Sequence, residues 1–175
     1  MAECILEDYA KANKNFDFVI LRYFNPVGGH SSGLLNENGK GIPNNLMPYV
    51  IKVAKGELPK LNIFGDDYPT EDGTCERDYI HVIDLGNAHY KAWKYLQTNE
   101  NHQESNYIVF NIGTGKGTSV KEIVETFEKV NNIKIKKEIT KRRPGDLPIV
   151  YCNADKAEKI LGWKAEKTLE DMCKI

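Results

Sequence analysis

The sequence has little of what marks metal centres, membrane segments or nucleic-acid-binding surfaces. Its four cysteines lie far apart and form no Cys-x-x-Cys pair, which excludes zinc-ribbon and dithiol redox spacings. No apolar run approaches the roughly 20 residues that cross a bilayer, and no signal-peptide pattern opens the chain. The 24 basic and 25 acidic residues give a net charge of −1, so there is no global attraction to nucleic acid. We therefore expect a cytoplasmic protein that binds no metal, no nucleic acid and no membrane.

What the sequence does have is the composition and the pattern of a folded α/β protein. Hydrophobic residues make up 41% and charged residues 28% of the 175 residues, a length typical of one domain. Short apolar segments alternate with stretches of helical periodicity, as in a parallel sheet flanked by helices. The predicted strands cover residues 16–24, 61–64, 77–82, 107–112 and 134–143, and the predicted helices cover 2–14, 43–56, 83–96, 118–131, 155–161 and 168–175.

Two of these segments carry further expectations. The strand over residues 16–24 is almost continuously apolar, which predicts a strand of a parallel sheet that is covered on both faces. The helix over residues 2–14 has no Ser, Thr, Asp or Asn before it, so we expect the chain to begin inside a larger protein. In the next helix, Pro43 suits the first turn.

The glycine cluster at residues 113–117 follows a strand and precedes a helix, which is the layout of a phosphate-binding loop. Its spacing fits neither nucleotide motif. The third glycine of G-x-G-x-x-G would fall on Thr118, and Lys116 comes before Gly117 rather than after it. Since Ser119 and Glu122 predict a capping box, we interpret the loop as a tight turn into a capped helix.

The loops beside the predicted strands carry arginines, asparagines and aromatic residues. Asn25 ends the first strand, Asn45 opens a helix, and Arg77 and Arg143 stand in separate loops. Open α/β sheets bind ligands at the carboxyl ends of their strands, and guanidinium groups match phosphate oxygens. The pattern favours a nucleotide diphosphate as ligand, while a single loop arginine is more often part of a surface ion pair.

Five blocks of the sequence resemble the UDP-glucose 4-epimerase family, in the family's order and over nearly the whole chain. They are RYFNPVGGH at 22–30, GIPNNLMPY at 41–49, IFGDDYPTEDGT at 63–74, RDYIHVIDL at 77–85 and RRPGD at 142–146. The acidic run at 68–74 favours the epimerases over the related nucleotide-sugar dehydratases, which lack it. The resemblance implies an NAD-dependent, homodimeric enzyme of the extended short-chain dehydrogenase/reductase superfamily that interconverts UDP-glucose and UDP-galactose.

The resemblance also implies roles for residues at the sugar and cofactor end of the site. Tyr23 would lie near the nicotinamide of NAD, and Asn25 would contact the diphosphate or the sugar of the substrate. Asn45 and Leu46 would hold the sugar nucleotide, and Tyr79 would line the same pocket.

At the uridine end, the resemblance implies that Asn62 and Phe64 contact the uracil and that Asp146 binds the ribose. Arg77 and Arg143 would bind the pyrophosphate. Elementary chemistry agrees, because two arginines neutralise a diphosphate and a carboxylate accepts two ribose hydroxyl groups.

The catalytic group of this family precedes the first matching block, so the resemblance places its Ser and Tyr-x-x-x-Lys, and its dinucleotide-binding glycines, upstream of Met1. Residues 1–175 would then form a UDP-sugar-binding region together with the last helix and strands of a Rossmann domain. We expect no catalytic residue in the chain itself and no epimerase activity from the chain alone.

Two alternatives stay open: a nucleotide-sugar dehydratase or reductase of the same superfamily, and a non-catalytic UDP-sugar-binding module. A third question concerns the sugar. Val150 stands where family members that also accept UDP-N-acetylhexosamines have a small residue, which predicts that this protein accepts them too. The alternative is that Val150 only fills the wall beside Tyr151.

Overall fold

The computed structural model describes residues 1–34, 41–98 and 106–175 of the chain. The helices are α1 (Ala2–Ala12), α2 (Leu46–Ala54), α3 (Val82–Thr98), α4 (Val120–Asn131), α5 (Asp155–Leu161) and α6 (Leu169–Cys173). The strands are β1 (Phe18–Tyr23), β2 (Asn25–Val27), β3 (Leu61–Phe64), β4 (Glu76–Arg77), β5 (Tyr79–His81), β6 (Tyr107–Ile112), β7 (Thr118–Ser119), β8 (Lys137–Thr140) and β9 (Ile149–Val150). Strands and helices alternate along the chain, which confirms the predicted α/β class.

The described strands form four small sheets rather than one wide sheet. β1 pairs with β6, β2 with β5 and β3 with β8, and all three pairs are parallel. β4 lies between β9, to which it is parallel, and β7, to which it is antiparallel. Paired strands are therefore far apart in the sequence, and residues from distant parts of the chain meet at the strand ends.

Helices lie against both faces of the strand β1, as its apolar run predicts: α1 is on one face, and on the other Val19 and Leu21 pack with residues of α3 and α5. Its first four residues are half-buried, and Arg22 and Tyr23 are exposed. One edge of β1 pairs with β6, and no described strand pairs with the other edge. On one face α1 covers the strand, where Glu3 binds Arg22 through an ion pair. The apolar run is thus correct as a parallel strand, but its second edge and carboxyl end are open.

Two apolar clusters hold the elements together. In the first, Val50 of α2, Phe127 of α4 and Ile63 of β3 are buried against one another. In the second, Ala88 of α3 and Phe110 of β6 pack with residues of α5. The predicted helical stripes supply these buried residues, as expected for helices that each bury one face.

The starts of three helices agree only in part with the starts predicted from the sequence. Ser119 caps α4 by accepting a hydrogen bond from the backbone of Glu122, but the predicted capping box is only half present, because the Glu122 carboxylate lies 3.5 Å from Lys116 instead. The complete box is at α6, between Thr168 and Asp171. Pro43 is not in the first turn of α2, since that helix begins at Leu46.

The acidic loop at residues 65–74 folds onto itself. Asp72 accepts hydrogen bonds from the backbone and the hydroxyl of Thr74 and pairs with the hydroxyl of Ser119. A Cβ on Gly73 would lie 2.0 Å from the carbonyl oxygen of Asp66, so only glycine fits there. The loop thus joins the strand end of β3 to the start of α4.

Within the described ranges, no helix combines the length and apolar composition that a bilayer crossing requires. The same residues contain no group of His, Cys, Asp and Glu side chains placed to hold a metal ion. Cys75, Cys152 and Cys173 are free and buried, whereas Cys4 is free and exposed. The sequence between the blocks at 22–30 and 41–49 predicts a polar loop with Gly and Asn, and its residues 35–40 lie outside the described part of the chain.

An exposed aromatic pair on α3 and the open edge of β1 generate a prediction about association. Tyr90 and Trp93 are 57% and 56% exposed, and their ring centres are 6.0 Å apart. Because exposed apolar patches and free strand edges promote association, we expect the 175-residue chain to self-associate in light-scattering experiments. The double variant Tyr90→Ser, Trp93→Ser should be less associated, and Lys91→Ser on the same helix should change nothing. A monomeric wild-type chain with a sharp thermal transition would show the prediction to be wrong.

Candidate functional site

A cavity of about 420 Å³ lies where the ends of β2, β3, β4 and β5 meet the first turn of α2. That volume is within the usual range of small-molecule sites, about 300–1,000 Å³. The cavity brings together nine of the residues predicted for the site: Asn25, Asn45, Leu46, Asn62, Phe64, Arg77, Tyr79, Arg143 and Asp146. These residues come from five separate segments of the chain, mostly short strands, so the fold places in one cavity what the sequence separates by more than a hundred positions.

The extended backbone around β4 and β5 explains why Arg77 and Tyr79 share the cavity. Side chains alternate between the two sides of an extended chain, so residues 75, 77 and 79 face the cavity and residue 78 faces away. Arg77 is 19% exposed and donates Nη1 to the carbonyl oxygens of Glu76 and Leu147, at 2.7 and 2.8 Å. Burial raises the pKa of Tyr79 to about 12, so its hydroxyl group stays protonated and is a hydrogen-bond donor rather than a base.

Arg143 and Asp146 also line the cavity, close to Arg77. Arg143 donates Nε and Nη2 to the two carboxylate oxygens of Asp146, at 2.9 and 3.2 Å. Nη2 of Arg77 lies 3.7 Å from the same carboxylate. The guanidinium carbon of Arg143 is 4.9 Å from the centre of the Phe64 ring, within the range of a cation–π contact. The cavity thus holds two cations and one anion, and an aromatic ring lies against one of the cations.

Two asparagines of the cavity have polar groups available to a ligand. The side-chain oxygen of Asn62 is buried and has no hydrogen-bond partner among the described residues. Asn45 precedes α2 at the capping position, yet its side chain makes no capping hydrogen bond. Because buried polar groups are normally paired, the unpaired Asn62 oxygen marks the cavity as a place for a polar ligand.

The carboxylate of Asp78 is fully buried on the side of the strand segment that faces away from the cavity, and it holds the segment that carries Arg77 and Tyr79. Its oxygens accept hydrogen bonds from the backbone N–H groups of Thr114, Gly115 and Cys152, at 2.8, 2.9 and 3.2 Å. A Cβ on Gly113 would lie 2.6 Å from the same carboxylate, so the close approach requires glycine. The glycine cluster is therefore a tight turn, as predicted, and its N–H donors bind a protein carboxylate rather than a phosphate.

Tyr23 and Val150 are not among the residues that line the cavity. Tyr23 is 49% exposed at the end of β1, and its hydroxyl group lies 2.7 Å from Nε2 of His89. Val150 is half-buried in β9, directly beside Arg77 in the ladder with β4. Neighbouring residues of a ladder point to the same side, so Val150 and Arg77 share a face of this small sheet.

Several residues that line the cavity were not predicted for the site, among them Tyr49, Cys75 and Val120. Two of them carried a usable signal. Tyr49 is four positions after Asn45, the spacing of one helical face, and Cys75 is two positions before Arg77, the spacing of one strand face. Val120 reaches the cavity from the start of α4, and no pattern in the sequence predicts that.

A Tyr-x-x-x-Lys spacing occurs in the chain at Tyr90 and Lys94, apart from the catalytic group that the resemblance places upstream of Met1. It lies in α3, where the ring of Tyr90 packs against Trp93. Neither residue lines the cavity, and both are exposed. The motif is therefore not part of the site that the structure describes.

Comparison with known proteins shows the family to which the chain belongs. A family model described as GDP-mannose 4,6 dehydratase matches residues 1–175. A bifunctional UDP-glucose 4-epimerase and UDP-xylose 4-epimerase of Pisum sativum is 52% identical over 172 residues. That match covers 98% of this chain and 48% of the pea protein, so the chain spans about half the length of the curated relatives it matches.

Solved structures agree with the sequence comparison. The UDP-glucose 4-epimerase of Bifidobacterium longum, in complex with NAD+ and UDP, is 50% identical, with a TM-score of 0.89 over 98% of this chain and 49% of that one. The UDP-Glc/GlcNAc 4-epimerase of Campylobacter jejuni is 40% identical, with a TM-score of 0.79 over 99% of this chain and 51% of that one.

The role of Asp78 generates a prediction about stability. Asp78→Ala leaves three buried N–H groups without an acceptor, so we expect the free energy of unfolding to fall by on the order of 3 kcal/mol in urea denaturation. Asp8→Ala on the exposed side of α1 removes the same charge and should have little effect. Equal, small losses in the two variants would contradict the assigned role of Asp78.

Proposed function

Because the chain belongs to the family described as GDP-mannose 4,6 dehydratase, and half of its residues are identical to those of UDP-glucose 4-epimerases, we propose that it is the UDP-sugar-binding part of a UDP-glucose 4-epimerase. The observation that carries the proposal is the meeting of Arg77 and Arg143 in one cavity with an aromatic face and unpaired amides. We propose that the enzyme interconverts UDP-glucose and UDP-galactose, and that it is a cytoplasmic homodimer.

In this proposal the substrate lies across the cavity with its diphosphate between the two arginines. Charge-assisted hydrogen bonds from two guanidinium groups suit the oxygens of a diphosphate. Phe64 and Asn62 then face the uracil, and the carboxylate of Asp146 faces the ribose hydroxyl groups. Asn25, Asn45 and Leu46 then contact the sugar, and the hydroxyl group of Tyr79 donates a hydrogen bond to it.

The described residues fit only one end of an NAD molecule. The exposed ring of Tyr23 is free to contact a nicotinamide, but the N–H donors of the glycine turn are already bound to Asp78. We propose that Tyr23 contacts the nicotinamide and that the glycine turn has no part in binding the cofactor. When bound, NAD supplies reversible hydride transfer at the sugar ring.

We propose that the cavity binds a substrate but that none of the described residues lining it acts as the base, since the one carboxylate there, Asp146, is paired with Arg143. The raised pKa of Tyr79 keeps that hydroxyl group protonated, and the Tyr90 and Lys94 pair lies outside the cavity. We therefore propose that these 175 residues bind a UDP-sugar without turning it over. A dehydratase or reductase of the same family would use a similar cavity, and analysis of the product made from UDP-galactose by the whole enzyme separates these activities.

Replacement of the cavity arginines tests the proposed binding mode. In titration calorimetry with UDP, Arg77→Ala should weaken binding by roughly 2–5 kcal/mol, because it removes a largely buried charge from the anion site. Arg143→Ala should cost about 1–3 kcal/mol, since that side chain is 54% exposed.

Arg142→Ala is the matched control for both variants. Its guanidinium group binds Asp67 and covers the Tyr68 ring, and it does not line the cavity. We expect nearly unchanged affinity for UDP. Equal, small losses at all three positions would show that the cavity is not the diphosphate site.

We also propose that the enzyme accepts UDP-N-acetylhexosamines. Val150 is half-buried on the same sheet face as Arg77, and a small residue there leaves space for an acetamido group in otherwise close-packed surroundings. The similarity to the Campylobacter jejuni UDP-Glc/GlcNAc 4-epimerase supports this choice of substrate.

A larger side chain at this position tests the substrate range. In the whole enzyme, Val150→Tyr should lower kcat/KM for UDP-N-acetylglucosamine by about tenfold or more and change that for UDP-galactose little. Ile149→Tyr, one position away on the exposed face of β9, should affect neither substrate. A parent enzyme without any N-acetyl turnover would overturn the proposal.

A further inference from the structure

Asp146 lies between the two arginines of the cavity and contacts both. Its carboxylate accepts Nε and Nη2 of Arg143 at 2.9 and 3.2 Å, and Nη2 of Arg77 is 3.7 Å away. The carboxylate is 19% exposed, so the solvent screens these interactions only partly. A backbone hydrogen bond from Asp146 to the carbonyl oxygen of Arg143 closes the turn that joins the two residues.

The two arginines differ in what else holds them. Arg77 is anchored by the carbonyl oxygens of Glu76 and Leu147, which do not depend on the Asp146 side chain. Arg143 is 54% exposed, and its described side-chain contacts are the Asp146 carboxylate and the ring of Phe64. An arginine side chain with so little support loses considerable rotamer entropy when it is held in one place. The carboxylate therefore decides where the Arg143 guanidinium group lies.

We propose that Asp146 is a positioning residue for the diphosphate: it holds Arg143 over Phe64 and beside Arg77, so that two cations face the cavity before the ligand enters. This inference rests on the proposed function of the cavity as a UDP-sugar site. It does not conflict with a contact between Asp146 and the ribose, because a carboxylate has about four acceptor positions and Arg143 uses two of them.

If Asp146 positions Arg143, removing its charge should change the affinity for a ligand without a ribose in one direction. If Asp146 only binds the ribose, the affinity should stay unchanged or change in the other direction. Inorganic pyrophosphate is a ligand without a ribose. If Asp146 acted on the ribose only, removing its charge would leave more positive charge in the cavity, and pyrophosphate would bind as tightly or more tightly. If Asp146 positions Arg143, pyrophosphate must bind more weakly, because one cation is no longer held in the site.

The experiment measures binding of UDP and of inorganic pyrophosphate to the 175-residue chain by titration calorimetry at low ionic strength. Asp146→Asn keeps the side-chain volume and removes the charge. Asp67→Asn is the matched control, because Asp67 also binds an arginine of this region, Arg142, but neither residue lines the cavity. Circular dichroism and the thermal transition show whether each variant is folded.

We expect Asp146→Asn to weaken pyrophosphate binding by about tenfold and Asp67→Asn to change it less than about twofold. Unchanged or tighter pyrophosphate binding in Asp146→Asn would overturn the inference even if UDP binding fell. A wild-type chain that binds pyrophosphate but not UDP would overturn the proposed function, while the same comparison of pyrophosphate affinities would still decide the role of Asp146.

A second measurement needs no ligand. The ¹⁵N relaxation of the Arg143 Nε–H group should show an ordered side chain in the wild type and a mobile one in Asp146→Asn, with Arg77 unchanged in both. An Arg143 side chain that is equally ordered in the two proteins would overturn the positioning role.

Discussion

The buried carboxylate of Asp78 holds three distant segments of the chain against one another, and the cavity depends on that arrangement. It accepts hydrogen bonds from the turn after β6 and from Cys152 after β9. Since Asp78 faces away from the cavity, its two neighbours in the extended chain, Arg77 and Tyr79, face into it. The hydrogen bonds of Asp78 on one side of the chain thus set the position of the binding groups on the other side. The same hydrogen bonds occupy the N–H groups of the glycine turn, which are therefore not available to a phosphate.

One carboxylate in the cavity offsets part of the positive charge of two arginines. Asp146 faces Arg77 and Arg143, so neither cation is left alone in a partly enclosed space. Isolated charges of that kind are costly to hold away from water, and their pairing lowers that cost. A diphosphate brings more negative charge than one carboxylate, so the site can exchange part of its internal pairing for bonds to the ligand while the arginines stay in place.

Much of the fold follows from periodicity, whereas the site follows from resemblance. Alternating short apolar runs and helical stripes predicted the strands β1, β3 and β6 and the helix α3, because each of these elements buries one face or edge in a core. The same patterns predicted Pro43 in the first turn of α2, which begins only at Leu46. They also predicted a complete capping box at α4, where Ser119 alone acts and the Glu122 carboxylate pairs with the nearby Lys116. The residues of the cavity come from short strands, the starts of two helices and the loop at 143–146. Their relative positions depend on contacts such as those of Asp78, which no local pattern reveals. Tyr49 and Cys75 were within reach of spacing arguments from their neighbours, but Val120 was not.

A crystal structure of the 175-residue chain with UDP tests the central claim most directly. The account predicts that the diphosphate lies between the guanidinium groups of Arg77 and Arg143, with the uracil against Phe64 and with the side-chain oxygen of Asn62 now paired. The Asp78 carboxylate should keep its hydrogen bonds to the glycine turn. UDP bound elsewhere, or bound with its phosphates at the N–H groups of Thr114 and Gly115, would contradict it.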